Sequence, residues 1–450
     1  MLPIIAIVGR PNVGKSTLFN RLTRSRNALV ADRPGITRDR QYGFGQHGQC
    51  RFIAIDTGGI GESGEPDARL AALVSEQALC ALREADAVLW LVDGRAGPAA
   101  LDLELARSLR RTGRRIHLVV NKTDGLNPDV AGAEFHSLGA GDPLAISAEH
   151  GTGIAALLDQ VLAEFTDEGD APAPALPGPR ISVIGRPNVG KSTLVNRMVG
   201  EERMLTFDEP GTTRDSIAVP FERRGRQYVF VDTPGIRRRA RVVDKVERVS
   251  IARSLAAIAQ SDVVIAVMDA REGVTDQDIA LLGLTAESGK SLTVAINKCD
   301  GLAEEQRAVV RSQVRRRLGF VEYACIRLIS ALHGTGVGKL FETIDAIAEA
   351  QSRSFKSAAV TKILREAVQA HEPPLVQGRR IKLRYAHIGG HGPIRVIVHG
   401  NRTEHVPQAY RRYLSNCLRR ALKLIGTPVV VEFKRGENPY KGRRDASMDR

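Results

Sequence analysis

No apolar run in this chain is longer than six residues; Ala87 to Val92 and Val263 to Met268 are the longest. A bilayer-spanning helix needs about 20, so the sequence predicts no membrane segment. The N-terminus passes from Met1 straight into Leu-Pro-Ile-Ile-Ala-Ile-Val and a glycine loop, with neither a basic region nor a small-residue cleavage site of a secretory leader. Cysteine is scarce. Cys50, Cys80, Cys299, Cys325 and Cys417 form no CxxC pair, which argues against a disulfide frame or a cysteine zinc site. The expectation is a soluble, cytoplasmic protein. Its 450 residues, 43% hydrophobic and 26% charged, suit about three globular domains rather than a disordered chain.

Excess charge is missing from most of the chain and gathered at its end. Residues 1–166 hold 18 basic and 19 acidic side chains, residues 167–179 hold three acids, and residues 180–351 hold 26 basic and 22 acidic. The last 99 residues hold 21 basic and 7 acidic, a net +14 that equals the whole excess. A basic module attached to nearly neutral partners is the footprint expected of nucleic-acid contact, although a basic surface kept for solubility has the same composition.

A duplication sets the architecture. Ile7–Leu22 (IVGRPNVGKSTLFNRL) returns as Val183–Met198 (VIGRPNVGKSTLVNRM), an offset of 176. The same offset carries Thr37 to Thr213, Asp56 to Asp232 and Asn121 to Asn297; at Ser147-Ala148 and Ser330-Ala331 it widens to 183. Within each copy short β-branched runs alternate with helical patterns, so the spacing predicts an α/β fold: two tandem domains of mostly parallel sheet with helices on both faces. Boundaries follow at 1–166 and 180–351, joined by an acidic Pro/Gly linker at 167–179. Residues 352–450 read as a small α+β domain with a basic tail. It has a helix over Ser357–Ala370, strands over Arg380–Ile388 and Pro393–Val398, a helix from Pro407 to Ile425 closed by Gly426, and a last strand over Pro428–Phe433.

The motifs fall where strands end. Gly9-Arg10-Pro11-Asn12-Val13-Gly14-Lys15-Ser16-Thr17 and Gly185-Arg186-Pro187-Asn188-Val189-Gly190-Lys191-Ser192-Thr193 fit G-x-x-x-x-G-K-[ST]. Such a loop converges backbone N–H groups on a phosphate at a helix N-terminus. Lys15 and Lys191 would neutralise β- and γ-phosphate oxygens, and Ser16 and Ser192 would offer a hydroxyl to Mg²⁺. Asn121-Lys122-Thr123-Asp124 and Asn297-Lys298-Cys299-Asp300 select the base. Guanine presents two adjacent donors that the carboxylate of Asp124 or Asp300 can accept, and adenine lacks that pair. Ser147-Ala148 and Ser330-Ala331 are expected to set backbone N–H groups near the guanine carbonyl. Thr37 and Thr213 would complete the Mg²⁺ shell only beside a γ-phosphate, Asp56 and Asp232 would hold the ion through water, and Gly59 and Gly235 would offer N–H to that phosphate. Lys15, Thr37, Lys191 and Thr213 are thus the candidate catalytic residues. Ile60 and Ile236 stand where many GTPases carry a water-orienting glutamine, so intrinsic hydrolysis should be slow unless charge comes from elsewhere.

Over essentially the whole chain, the paired motifs, linker and basic end resemble the Der (EngA) family of bacterial tandem GTPases. The resemblance implies GTP hydrolysis, a role in assembling the large ribosomal subunit through its rRNA, a KH-like third domain, and a monomer. It also implies that Asn12 and Asn188 help bind a K⁺ ion that stands in for an arginine finger. Protein regulators are left open. A second reading is a non-hydrolysing guanine-nucleotide switch or scaffold acting on a protein partner, kept in view by the missing glutamines.

Other signals are weaker. Gly389-Gly390-His391-Gly392 has the letters of a KH-type GxxG clamp, but it joins two strand-like runs and reads as a hairpin turn. His387, His391, His399 and His405 lack the company a metal site needs. Cys299 reads as a neighbour of the base pocket rather than a nucleophile. Arg237, Arg238, Arg239 and Arg241, just after the second DTPG, could link nucleotide state to RNA contact, or could be a solvated loop.

Overall fold

Strands that are nearly all apolar, such as Ile4–Val8 and Ala87–Asp93, must be covered on both faces, and a parallel sheet between helices does this. The computed structural model describes residues 2–23, 41–57, 81–165, 176–200, 218–231, 251–375 and 380–435. The first sheet runs β2-β3-β1-β4-β5-β6, with β1 Ile4–Val8, β2 Gln41–His47, β3 Cys50–Asp56, β4 Ala87–Asp93, β5 Arg115–Asn121 and β6 Leu144–Ala145. The second repeats that order as β8-β9-β7-β10-β11-β12, with β7 Arg180–Ile184, β8 Ala218–Arg223, β9 Arg226–Val231, β10 Val263–Asp269, β11 Ser291–Asn297 and β12 Cys325–Leu328. Among the described residues of these two sheets, only β2–β3 and β8–β9 pair antiparallel.

Alternation along β1 divides the first core. Ile4, Ala6 and Val8 join Trp90 and Phe135 on one face, while Ile5 and Ile7 join Leu18 and Phe19 under the helix Lys15–Thr23. The first of these clusters also takes in Ala252, Leu255 and Ala256 from the helix Ile251–Gln260 and Ala280 and Leu284 from Asp276–Glu287, so the two copies share one apolar interface.

The last domain follows the expected order of helix, two strands, helix and strand. The helix Ser357–Ala370 matches the sequence expectation residue for residue. β13 (Lys382–His391) pairs antiparallel with β14 (Ile394–Asn401), which pairs parallel with β15 (Val429–Arg435). Two expectations are corrected. Gly389, Gly390 and His391 are not a turn: they lie inside β13, after a register shift at Ile388, and the chain reverses at Gly392-Pro393. Gly426 does not close the second helix, which spans Gln408–Ala421. Its N–H donates to the Tyr323 carbonyl at 3.1 Å and its carbonyl accepts from the Leu292 N–H at 2.8 Å. A Cβ there would lie 2.6 Å from Ile347 Cδ1, so the glycine serves the contact between the second copy and the last domain. That contact is at the start of β11, the end of the sheet away from the nucleotide motifs.

Candidate guanine-nucleotide sites

Each P loop leaves the carboxyl end of a central strand and turns into a helix, Lys15–Thr23 or Lys191–Gly200. Asn12 and Asn188 take up left-handed backbone, φ 65° and 61°. Gly14 and Gly190 lie at φ 97° and 96°, and a Cβ would come within 2.4 Å of Asn121 Nδ2 or 2.3 Å of Asn297 Nδ2. Glycine is needed at both positions for conformation and for room. Lys15 Nζ donates to the Arg10 carbonyl at 2.8 Å, and Lys191 to the Arg186 carbonyl at 2.7 Å. Burial pulls the Lys15 ammonium below its ordinary range, and Asp56 nearby offsets part of that. A desolvated cation on a loop of converging amides suits an anion. Asp56 is buried at the end of β3.

The base loops are tied to the P loops by one amide in each copy. Asn121 Nδ2 donates to the Val13 carbonyl at 2.8 Å while its Oδ1 accepts from Ala148 N–H at 2.9 Å. Asn297 does the same with Val189 and Ala331, at 2.8 Å each. Two of the N–H groups expected to face the base are therefore engaged within the protein, by Asn121 and Asn297. Those of Ser147 and Ser330 donate to the carbonyls of Thr152 and Thr335. The carboxylates remain. The Ser330 hydroxyl, 2.7 Å from Asp300 Oδ1, holds that carboxyl below its usual range. The nearby Ser147 hydroxyl, with Arg95 and His150, does so for Asp124, whose Oδ1 is buried and makes no hydrogen bond of acceptable geometry. Cys299 Sγ donates to the Ile296 carbonyl at 3.1 Å, and burial pushes its thiol up, so it is a packed neighbour and no nucleophile.

Six residues that hold these motifs escaped the sequence reading: Asp93, Asp269, Asp102 and Asp278, which pair with motif side chains, and Arg21 and Arg197. Lys122 Nζ reaches Asp93 Oδ2 and the Asn12 carbonyl, each at 2.7 Å, and Lys298 pairs with Asp269. Arg21 and Arg197, on the P-loop helices, donate from Nε to the Ala148 and Ala331 carbonyls at 3.2 and 3.4 Å. The side chains of Arg10 and Arg186 turn away from the loop to buried carboxylates, Asp102 at 3.4 Å and Asp278 at 3.0 Å. The pairs Asp93/Asp269, Asp102/Asp278 and Arg21/Arg197 keep the 176 offset, which is the signal that could have found them. Pro11, Pro187, Thr17 and Thr193 lie on the loop or the first helical turn. Thr37, Gly59, Ile60, Thr213, Asp232, Gly235, Ile236, Arg237, Arg238, Arg239 and Arg241 lie outside the described residues, as does most of the linker. No group of three or more metal-ligating His, Cys, Asp or Glu side chains occurs among the described residues, and none of their helices is long and apolar enough to cross a membrane.

Two sheets of this order, each with a P loop and a guanine-type base loop, define a tandem P-loop GTPase. A family profile described as a 50S ribosome-binding GTPase matches residues 4–122 and again 180–298, and one described as the C-terminal KH-domain-like region of EngA bacterial GTPase enzymes matches 355–434. The chain is 50% identical over 450 residues to GTPase Der of Legionella pneumophila (strain Corby), covering 100% of this chain and 96% of that one. It is 53% identical over 452 residues to GTPase Der of Thioalkalivibrio sulfidiphilus (strain HL-EbGR7), covering 100% and 97%. The chain belongs to the GTPase Der family.

Proposed function

We propose that this protein binds and hydrolyses GTP in the cytoplasm and acts in assembly of the large ribosomal subunit, with GTP state gating its association with ribosomal particles. The observation that carries the reading is the twofold clamp in which Asn121 and Asn297 lock each P loop to a base loop bearing an ionised aspartate. The ribosomal part rests on the description of the family profile and on the basic end. The nucleotide domains are 1–166 and 180–351, with 167–179 as linker and 352–450 as the module that meets rRNA.

Within each site the P-loop amides and Lys15 or Lys191 bind and orient the phosphates, and Asp124 or Asp300 chooses guanine. Ser16 and Asp56, with Thr37, would hold Mg²⁺ in the first copy, and Ser192, Thr213 and Asp232 in the second. Asn12 and Asn188, exposed amides on left-handed backbone, would ligate K⁺. These cations, when bound, supply positive charge to the oxygens of the transferring phosphoryl group. The protein's own part is positioning, since Ile60 and Ile236 cannot orient water by hydrogen bonding.

Gradient sedimentation with ribosomal particles tests the reading. Co-migration with large-subunit particles in a non-hydrolysable GTP analogue but not in GDP is expected, and nucleotide-independent binding or none would overturn it. GTP turnover should also rise in K⁺ over Na⁺ at matched ionic strength; equal rates would remove the K⁺ assignment.

A further inference from the structure

The outer face of the last sheet carries a cluster that nucleotide binding does not use. Antiparallel pairing sets Tyr385 across from His399 and His387 across from Ile397, and parallel pairing sets Lys434 beside His399. Because side chains alternate across a strand, Ala386, Ile394, Val396 and Val398 fill the core while these residues point the other way. Their rings stack. Tyr385 and His399 lie 4.4 Å apart between centroids with planes 6° apart, and His387 lies 5.2 Å from His399 at 22°. Tyr385 is still 45% exposed, and its strand β13 is the sheet edge, so part of this residue is open to solvent beside the stack. Burial, with His387 and Lys434 alongside, holds His399 below its ordinary range and hence as a neutral aromatic ring at pH 7.

The surroundings suit a flat, anionic ligand. Next to His387 the strand continues as Gly389-Gly390, and a Cβ at Gly389 would come within 2.4 Å of Ile397 Cδ1, so the glycine leaves room for the Ile397 side chain that covers this lane. Exposed Lys382, opposite Asn401, and exposed Lys434, beside His399, share this face by register and alternation. Glu432, the acid on this face, is held 3.8 Å from Arg395. An acidic peptide would use the cations but not the parallel ring faces. Duplex RNA would also use only the cations, because its base faces are covered by its own stacking.

We propose that Tyr385, His399 and His387 form a stacking platform for unpaired RNA bases, with Lys382 and Lys434 holding the phosphates. This rests on the reading that the last domain meets rRNA, and it names the form of RNA taken. The motif that looked like a KH clamp is then part of a sheet-face site rather than a backbone clamp.

The test uses the full chain and fluorescein-labelled ten-nucleotide RNAs, read by anisotropy at one salt concentration. The probes are a base-containing strand, an abasic ribose-phosphate strand and a hairpin duplex. The base-containing strand should bind about five-fold or more tighter than the abasic one, the effect expected of a single stacked base. Tyr385→Ala should erase that preference and Tyr385→Phe should keep it, with GTP turnover unchanged in both as the folding control. Equal binding of the three probes by the unmodified chain, or an undiminished preference in Tyr385→Ala, would overturn the platform. Sedimentation with ribosomal particles separates the two readings. Failure of the unmodified chain to co-migrate counts against the assembly role, whereas co-migration without any base preference counts against the platform alone.

Discussion

The two nucleotide domains carry the same P-loop letters, yet the structure braces those loops unequally. Among the described residues Arg10 reaches a single carboxylate, Asp102 at 3.4 Å, and its Nε and Nη2 are buried with no hydrogen-bond partner. Arg186 reaches Glu272 at 2.7 Å as well as Asp278 at 3.0 Å. One residue makes the difference, since the position 176 before Glu272 is Ala96. Burial raises the Asp102 carboxyl above its ordinary range, while Glu272 and Asp278 together hold the Arg186 guanidinium above its own against the pull of burial. A shared motif therefore fixes which ligand can be bound, and the residues behind it set how firmly the loop is held.

The base loops differ in the opposite sense. Arg95 pairs with Asp124 at 2.8 Å, whereas Arg271 stands 3.9 Å from Asp300. The first site holds a cation closer to the carboxylate proposed to meet guanine.

The largest expected effect tests whether the copies are equivalent in base choice. Asp124→Asn and Asp300→Asn should each weaken GTP binding at one site about 10³-fold or more and leave the other intact. Titration calorimetry should then count one GTP per chain instead of two, with XTP recovered at the altered site because an amide N–H can donate to the xanthine carbonyl. Two remaining GTP equivalents would remove these aspartates as selectors. Next comes the brace. Arg186→Ala should cost the second domain about 2–3 kcal/mol and Arg10→Ala the first about 1 kcal/mol, read in thermal unfolding. Ala96→Glu should narrow that gap by giving Arg10 its second partner.

A smaller effect lies in pH. Asp102 has a raised folded pKa, so its contribution to stability is complete below the unfolded value of about 4 and declines as pH rises through the folded one. Melting of Asp102→Asn should lack this decline, and parallel melting curves for the two proteins from pH 4 to 7 would refute it. The smallest effect is at the base loops, where Arg95→Ala should tighten GTP at the first site by about two- to five-fold, as for an exposed pair. Arg271→Ala should change the second site less, and equal gains would mean that the 2.8 and 3.9 Å separations have no functional weight.

Much of the fold was legible because strand, loop and helix follow one another locally. Ile4–Val8 and Ser357–Ala370 have the extents that their apolar periodicity predicts. Strand ends such as Leu144–Ala145 were missed, because two residues carry no periodicity. The glycine-rich stretch before Pro393 was misread for a related reason: glycines mark turns from sequence alone, whereas here Gly389 makes room for the Ile397 side chain on a sheet face beside a ring stack. Gly426 looked like a helix stop and is instead a close backbone contact between domains.

What the sequence determined by itself is the chemistry of the two sites. A phosphate loop and a guanine selector need certain residue types at short, local spacing, and a duplicated 176-residue interval shows them twice. What only the tertiary structure decided is how those parts are held: Arg10 on Asp102, Arg186 on Glu272 and Asp278, Arg21 on the base loop, and Tyr385 on His399. Each of these contacts joins residues on different elements, and such pairings depend on strand order, register and packing, which periodicity along one segment does not encode.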